Sequence, residues 1–194
     1  MPQLYVIRHG ETEWNAAHRI QGQIDTSLND KGRAQAWRNG LVLKDLIGAP
    51  DTVDFISSPL MRATETMEIL RDAMGLSRSG YGLDERLKEL HYGDWQGLFT
   101  EEASLAHPEI SAARRANPWT VAPPGAGAES FAALAERVLT WLNGVSRDSV
   151  VVTHGGVSRV LRVLILGLPR AQIATLEVPQ DRILRIDGQS MTWH

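Results

Sequence analysis

Two histidines occupy equivalent places in the sequence, each shortly after a mainly apolar run. Residues 4–7 lead directly into Arg8 and His9, and residues 149–152 lead through one threonine into His154. Runs of this kind predict short buried strands, and ligands of open α/β sheets bind beyond the carboxyl ends of strands. If the two strands are parallel neighbours, the two imidazoles face each other across one crevice.

Two arginines and a glutamate complete a set of residues suited to phosphoryl transfer. Arg8 adjoins His9, Arg62 lies in the first turn of a predicted helix, and Glu89 precedes a glycine-rich stretch. Arginine binds phosphate bidentately and keeps its charge, which stabilises the negative charge of the transition state. A neutral imidazole is a nucleophile near pH 7, and a protonated glutamate can supply the leaving alkoxide with a proton. The residues alone do not say which histidine attacks.

Other interpretations of the same residues stay open at this point. A single histidine after a strand is more often structural than functional. His9, His154 and Glu89 could bind zinc, although no HxxxH or HExxH pair is present and neighbouring cations would oppose a metal. A non-catalytic protein that binds a phosphorylated ligand is a further alternative. The first strand is not followed by the GxGxxG pattern of a dinucleotide fold, and no GxxxxGK[ST] pattern occurs.

Length and composition indicate an ordinary globular domain. The chain has 194 residues, of which 43% are hydrophobic and 22% charged, and we expect one domain spanning residues 1–194. The net charge of −3 without a basic stripe argues against a nucleic-acid partner. The absence of cysteine suits the cytoplasm, as does an opening strand that leaves no room for a signal peptide. No apolar run approaches the ~18 residues of a membrane span, and the oligomeric state is not indicated.

Strands that alternate with helices predict the elements around these residues. The expected fold is a three-layer α/β/α sandwich whose central sheet is mostly parallel, with an antiparallel edge. A hairpin of residues 176–178 and 183–186 is expected to form that edge. Ser58 and Pro59 are expected to begin the helix that carries Arg62. The preceding helix is expected to begin near Asp30 and to bury its apolar residues Ala34, Trp37, Leu41 and Leu46.

Residues 98–128 are predicted to form an insertion. They are weakly periodic, contain four prolines and are too short for a core of their own. We expect one or two short helices that act as a lid over the sheet edge. Arg114 and Arg115 lie on this insertion, and a solvated helix face is the favoured interpretation of such a pair. If they point inward instead, the substrate carries a second acidic group.

Several blocks, in this order, resemble the histidine phosphatase superfamily, also called phosphoglycerate mutase-like. They are Arg8-His9-Gly10-Glu11-Thr12 with Trp14-Asn15, Arg19-Ile20-Gln21-Gly22, Leu28-Asn29-Asp30-Lys31-Gly32, Ser57-Ser58-Pro59-Leu60-Met61-Arg62-Ala63-Thr64-Glu65-Thr66, Glu89-Leu90-His91-Tyr92-Gly93, Glu129-Ser130 and Thr153-His154-Gly155-Gly156. The tripeptide Arg8-His9-Gly10 alone is a weak match. The whole set of blocks in this order is specific, and it extends over nearly the entire chain.

The resemblance implies a role for each matching position. His9 is similar to the nucleophile that becomes phosphohistidine, and Glu89 to the proton donor that later activates water. The phosphate pocket is implied to consist of Arg8, Arg62 and His154, with Asn15 and the Gly155 amide. The substrate-lining positions are implied to be Gln21, Gly22 and Tyr92. The family needs no metal, so no cofactor is expected.

The resemblance covers both phosphatases and mutases. A short insertion favours an open site and hydrolysis, and residues 91–97 are more similar to the phosphatase branch. The pair Arg114-Arg115 points the other way, because it resembles the paired arginine that mutases use on a second anionic group. The prediction is a metal-independent phosphomonoester hydrolase that acts through phosphohistidine on a small phosphorylated metabolite. A cofactor-dependent phosphoglycerate mutase is the alternative.

Overall fold

A six-stranded mixed sheet forms the centre of the computed structural model, which describes residues 1–194. Its strands are β1 (Leu4–Arg8), β2 (Asp54–Ser57), β3 (Gly82–Leu83), β4 (Ser149–Thr153), β5 (Ile183–Asp187) and β6 (Ser190–Trp193). Their order across the sheet is β3-β2-β4-β1-β5-β6. The first four of these are mutually parallel, whereas β5 pairs antiparallel with β1 and β6 antiparallel with β5. The predicted mostly parallel sheet with an antiparallel edge is confirmed.

Seven helices surround the sheet. They are α1 (Glu13–Ala16), α2 (Asp30–Ile47), α3 (Met61–Ala73), α4 (Thr100–Ala106), α5 (Pro108–Ala116), α6 (Phe131–Leu142) and α7 (Gly155–Leu166). Short 3₁₀ turns occur at Pro50–Thr52, Glu85–Leu87, Gly93–Trp95 and Arg170–Thr175. None of the helices combines the length and the apolar character that a membrane span requires.

Alternate residues of β1 belong to two separate cores, one on each face of the sheet. Leu4 and Val6 pack in a cluster with residues of α6 and α7. Tyr5 and Ile7 pack in a second cluster with residues of α2 and α3. Because both faces are covered by helices, the sheet is the middle of three layers, as predicted.

The predicted buried face of α2 is wrong at three of its four positions, since only Leu46 of the four packs against the core. Trp37 and Leu41 are 46% and 47% exposed, and Ala34 is exposed as well. The buried face instead carries small or polar residues, namely Gly32, Ala36, Asn39 and Gly40, together with Leu43. A Cβ on Gly40 would overlap the carbonyl oxygen of Leu70, so α2 and α3 approach too closely for large apolar side chains to lie between them.

Two local predictions about caps and turns are also corrected. α3 begins at Met61 with Leu60 as its N-cap, and the Ser58 hydroxyl contacts His154 Nε2 and accepts from the Leu60 amide ahead of the helix. The closing hairpin consists of β5 and β6 and turns at Gly188, whose φ is 59°. Residues 176–178 form no strand, since their carbonyls accept hydrogen bonds from the arginine side chains Arg159, Arg162 and Arg8.

Candidate active site

The parallel pairing of β1 and β4 brings the two histidines together. Arg8 lies opposite Thr153 in the register, so the next residues, His9 and His154, leave the sheet at the same edge. Their ring centroids are 5.1 Å apart and the ring planes are inclined by 57°. His9 is 3% exposed and His154 is fully buried. The two imidazoles are therefore packed side by side, and only one of them reaches the surface of the crevice.

His9 has a defined tautomer and a lowered pKa. Its Nδ1 lies 2.8 Å from the carbonyl oxygen of Gly10, and since a carbonyl only accepts, Nδ1 carries the hydrogen. Nε2 then holds a lone pair and accepts a 3.3 Å hydrogen bond from Arg62 Nε. Burial, followed by the charges of Arg62 and Arg8, lowers the pKa of His9 well below its usual value. The imidazole is therefore neutral at pH 7.

Arg62 is a buried cation whose geometry is fixed from two sides. It is 1% exposed and lies in the first turn of α3. Its Nη1 donates to the Ile24 carbonyl over 2.9 Å and its Nη2 to the Gly22 carbonyl over 2.7 Å. Burial lowers the pKa of Arg62 to about 10, so the group stays charged near neutrality. Each Nη keeps one further N–H for a bound anion.

Arg8 and Glu89 complete the arrangement around His9. Arg8 Nη1 donates to the Val178 carbonyl over 2.9 Å, while its buried Nε has no partner in the protein. Burial lowers the pKa of Arg8. The Glu89 carboxylate accepts from the Gly156 amide over 3.0 Å. A Cβ at Gly156 would overlap Glu89 Oε1, so only glycine allows this approach.

A cavity of about 440 Å³ opens onto these groups. It is lined by nine of the ten residues singled out in the sequence, which are Arg8, His9, Asn15, Gln21, Gly22, Arg62, Glu89, Tyr92 and Gly155. The tenth, His154, does not reach the cavity wall. Its Nε2 lies 2.7 Å from Ser58 Oγ, its Nδ1 has no partner, and burial followed by the Arg62 charge lowers its pKa. The two imidazoles lie together as expected, but His154 packs behind His9 instead of facing it across the crevice.

Comparison with known proteins assigns the family. A model described as histidine phosphatase superfamily (branch 1) matches residues 4–194. The chain belongs to the histidine phosphatase superfamily. The membership predicted from the ordered blocks of the sequence is thereby confirmed.

Relatives within the superfamily carry both phosphatase and mutase-like names. Phosphoglycerate mutase-like protein 4 of Arabidopsis thaliana is 42% identical over 164 residues, covering 82% of this chain and 69% of that protein. The metal-independent phosphoserine phosphatase of Arabidopsis thaliana is 36% identical over 178 residues, covering 89% of this chain and 71% of that protein. The solved structure of mycobacterial glucosyl-3-phosphoglycerate phosphatase has a TM-score of 0.79 and 31% identity, covering 100% of this chain and 96% of that one.

Arg114 is not part of a solvated helix face. Its guanidinium lies 5.5 Å from the Tyr92 ring centroid and 5.6 Å from that of Phe131, and Nη1 donates to the Val121 carbonyl over 2.6 Å. Burial lowers the pKa of Arg114 and raises that of Tyr92. Arg115 is more exposed and donates to Ser111 Oγ over 2.7 Å. Both arginines belong to α5 and line the cavity, and so do other residues of α4 and α5.

Two residues at the site were missed in the sequence. Gln180 Nε2 donates to the His9 carbonyl over 3.1 Å and to Asn15 Oδ1 over 3.0 Å, which leaves the Asn15 amide nitrogen for the cavity. Arg159, on α7, lines the cavity as well. Arg159 falls five residues after His154, so its position on the same helix was the available signal. Nothing in the loop sequence around Gln180 marks it.

The site is rich in cations, since six arginines line the cavity. No group of three or more His, Cys, Asp or Glu side chains is arranged to hold a metal ion. His9 Nε2 faces a guanidinium instead of a second ligand. The arrangement suits an anion held by arginine beside a neutral imidazole.

The two lowered histidine pKa values predict how stability depends on pH. In the unfolded chain each histidine takes up a proton near pH 6.5, whereas His9 and His154 in the fold do so only at a lower pH. The unfolded state therefore binds more protons below pH 6.5, and stability falls as the pH is lowered. We expect the free energy of unfolding, measured in urea between pH 7.5 and 5.5, to fall by up to ~1.4 kcal/mol per pH unit for each histidine.

Substitution of one histidine separates this effect from the titration of carboxylates. His154→Gln should flatten the slope by the share of one group, because glutamine has no proton to take up. Equal slopes in the native protein and in His154→Gln would contradict the lowered pKa values.

Proposed function

We propose that the protein is a metal-independent phosphomonoester hydrolase that acts through a phosphohistidine at His9 on a small phosphorylated metabolite. The observation that carries the proposal is the neutral Nε2 of His9 at the cavity wall beside Arg8 and Arg62. The relatives named as phosphatases support it. The cysteine-free composition suits the cytoplasm, which we keep as the proposed location.

The first proposed step transfers the phosphoryl group to the enzyme. His9 Nε2 forms a bond to phosphorus while the bond from phosphorus to the ester oxygen breaks. Arg8 and Arg62 stabilise the charge on the phosphoryl oxygens. Glu89 gives its proton to the departing oxygen, so the product leaves as a neutral alcohol. The Gly10 carbonyl, bonded to Nδ1–H, stabilises the positive charge that develops on the ring.

The second proposed step releases inorganic phosphate. Glu89, now a carboxylate, takes a proton from a water molecule whose oxygen attacks phosphorus. The bond from Nε2 to phosphorus breaks, and the ring returns to its neutral tautomer. His154 contributes as a buried neighbour that confines the His9 ring on its inner side. Both catalytic groups then have their starting protonation states.

Residues 98–128 are proposed to act as the lid of a domain that spans residues 1–194. α4 and α5 supply Ala103, Ser104, Ser111, Arg114 and Arg115 to the cavity wall. A lid in this place positions the leaving group and limits access of water. The inward position of Arg114 supports a substrate with a second acidic group.

The test of the proposed activity is phosphate release in the presence of chelator. We expect the protein to hydrolyse p-nitrophenyl phosphate in excess EDTA, with a rate equal to that in untreated buffer. A panel of some dozens of phosphorylated metabolites should then identify the natural substrate by the highest kcat/KM. Loss of activity on chelation would indicate a metal hydrolase, and absence of turnover on the whole panel would indicate a binding protein.

A phosphoglycerate mutase is the second candidate, because Arg114 lines the cavity and one relative is mutase-like in name. A mutase would interconvert the 2- and 3-isomers of phosphoglycerate and would require a bisphosphate primer. We expect release of inorganic phosphate to exceed isomer exchange when both are measured by phosphorus NMR with the primer present. Exchange that is faster than release would establish the mutase instead.

A further inference from the structure

The cavity carries far more positive charge than one phosphate requires. Six arginines line it, against the single carboxyl group of Glu89; they are Arg8, Arg19, Arg62, Arg114, Arg115 and Arg159. None of the six belongs to an ion pair of the structure, in a protein whose net charge is −3. Unpaired cations gathered at one place are costly to the fold unless a ligand brings the missing negative charge.

Arg159 and Arg8 both approach the start of α7, where the carboxyl group of Glu89 is held. Arg159 Nη1 is 3.7 Å from the point that a Cβ on Gly155 would occupy, and Arg8 Nε and Glu89 Oε2 are each 3.8 Å from the same point. Arg159 Nε donates to the Leu176 carbonyl over 2.8 Å. That bond is its only one within the protein, so the two Nη nitrogens are free to bind a ligand.

The position of Glu89 tells which part of a substrate Arg159 meets. In the proposed function Glu89 contacts the ester oxygen that leaves, while Arg8 and Arg62 hold the phosphoryl group that stays. Arg159 Nη1 and Glu89 Oε2 both lie under 4 Å from one point beside Gly155, so the free Nη groups of Arg159 can reach a leaving group whose ester oxygen contacts Glu89. Arg114 differs in that its guanidinium lies against the rings of Tyr92 and Phe131 and donates to the Val121 carbonyl.

We propose that Arg159 is a specificity-determining residue that binds an oxyanion on the leaving alcohol, one or two carbons from the ester oxygen. The inference rests on the proposed function, because that function defines the leaving-group side. The ligand chemistry is a carboxylate or a second phosphate, since the guanidinium fork binds either bidentately. Neutral alcohols of the same size gain nothing from this contact.

The proposal can be tested by measuring how phosphate esters bind to a variant that cannot hydrolyse them. In the His9→Ala variant at pH 8, calorimetry would compare 2-phosphoglycolate, 1,2-ethanediol bisphosphate and 2-hydroxyethyl phosphate. The three share a phosphorylated CH₂–O group and differ in the substituent on that carbon, which is a carboxylate, a phosphorylated hydroxymethyl group or a free hydroxymethyl group. We expect the anionic esters to bind roughly tenfold more tightly than the hydroxyl ester. The tighter of the two identifies which oxyanion the site prefers.

Substitution of Arg159 then assigns the preference to one side chain. Arg159→Met in the same background should bring the ratio of dissociation constants close to one, and Arg159→Lys should keep part of it, since the charge remains without the fork. Arg162→Met is the matched control, because Arg162 lies on the same helix and donates to the neighbouring Glu177 carbonyl over 2.8 Å but does not line the cavity. Arg162→Met should leave the ratio of dissociation constants unchanged.

Three results would overturn the assignment. They are a ratio near one in the His9→Ala protein, a ratio that Arg159→Met leaves unchanged, and an equal weakening of all three esters by Arg159→Met, which would make Arg159 part of the phosphoryl pocket. Failure of the proposed function would be seen separately, as absence of p-nitrophenyl phosphate turnover in the native protein. The binding ratio does not depend on that turnover.

Discussion

His9→Ala is expected to reduce phosphatase turnover by roughly 10⁴-fold or more, because removal of a nucleophile leaves only the contribution of binding and fixed charges. The imidazole is neutral, its Nδ1 is occupied by the Gly10 carbonyl, and its Nε2 faces the cavity beside Arg8 and Arg62. No other imidazole lines the cavity, since His154 is fully buried. Steady-state hydrolysis of p-nitrophenyl phosphate measures the loss.

Labelling of the enzyme shows whether the loss is that of the nucleophile. The native protein, quenched during turnover of a ³²P-labelled ester, should carry label that is stable to alkali and released by acid, as expected of a phosphoramidate. His9→Ala should carry none. His18→Asn is a suitable control because His18 is exposed in a loop with φ of 56°, a conformation that asparagine tolerates. Retention of label in His9→Ala would move the nucleophile to another residue.

Glu89→Gln is expected to separate the two halves of the reaction. Nitrophenolate leaves without a proton, so p-nitrophenyl phosphate should still phosphorylate His9, whereas attack by water then lacks its base. We expect a burst of one p-nitrophenol per enzyme, followed by turnover slower by about 10²–10⁴-fold. An alkyl phosphate, whose alkoxide needs a proton, should show no burst. Rapid-quench and stopped-flow measurements distinguish the two cases.

The substitution keeps the geometry of the site. A glutamine oxygen still accepts from the Gly156 amide, which holds the native carboxylate at 3.0 Å, so the side chain stays in place. Glu101→Gln, on the exposed face of the insertion helix α4, should behave like the native protein. Linear release of p-nitrophenol with an equal loss for both classes of ester would remove Glu89 from the proton transfers.

The parts of the site that lie just after strands were predictable, because strand endings obey simple rules. A mainly apolar run leading to a histidine occurs twice, and parallel neighbours bring their next residues to one edge of the sheet. This placed His9 and His154 together. The rules did not show that His154 is buried under Ser58, since depth in the sheet depends on how α3 packs.

Prediction from the sequence was wrong or incomplete where contacts are made by small residues or by main-chain atoms. Trp37 and Leu41 recur at helical spacing yet are exposed, because the contact of α2 with α3 is made by Gly40 at the Leu70 carbonyl. Gln180 and Arg159 were missed for the same reason. Each side chain donates a hydrogen bond to a backbone carbonyl. Such bonds do not depend on a recognisable pattern of apolar and polar residues in the sequence.

The carbonyl oxygens of residues 176–178 hold arginine side chains in place, and this affects which sequence changes the segment tolerates. It anchors Arg8, Arg159 and Arg162 through oxygens that every amino acid possesses. The anchoring of the guanidinium groups therefore does not depend on which side chains the segment carries, whereas packing does constrain Val178, which is buried, and Leu176, which contacts the core. Insertions or deletions here would shift the anchors and would be selected against far more strongly than replacements.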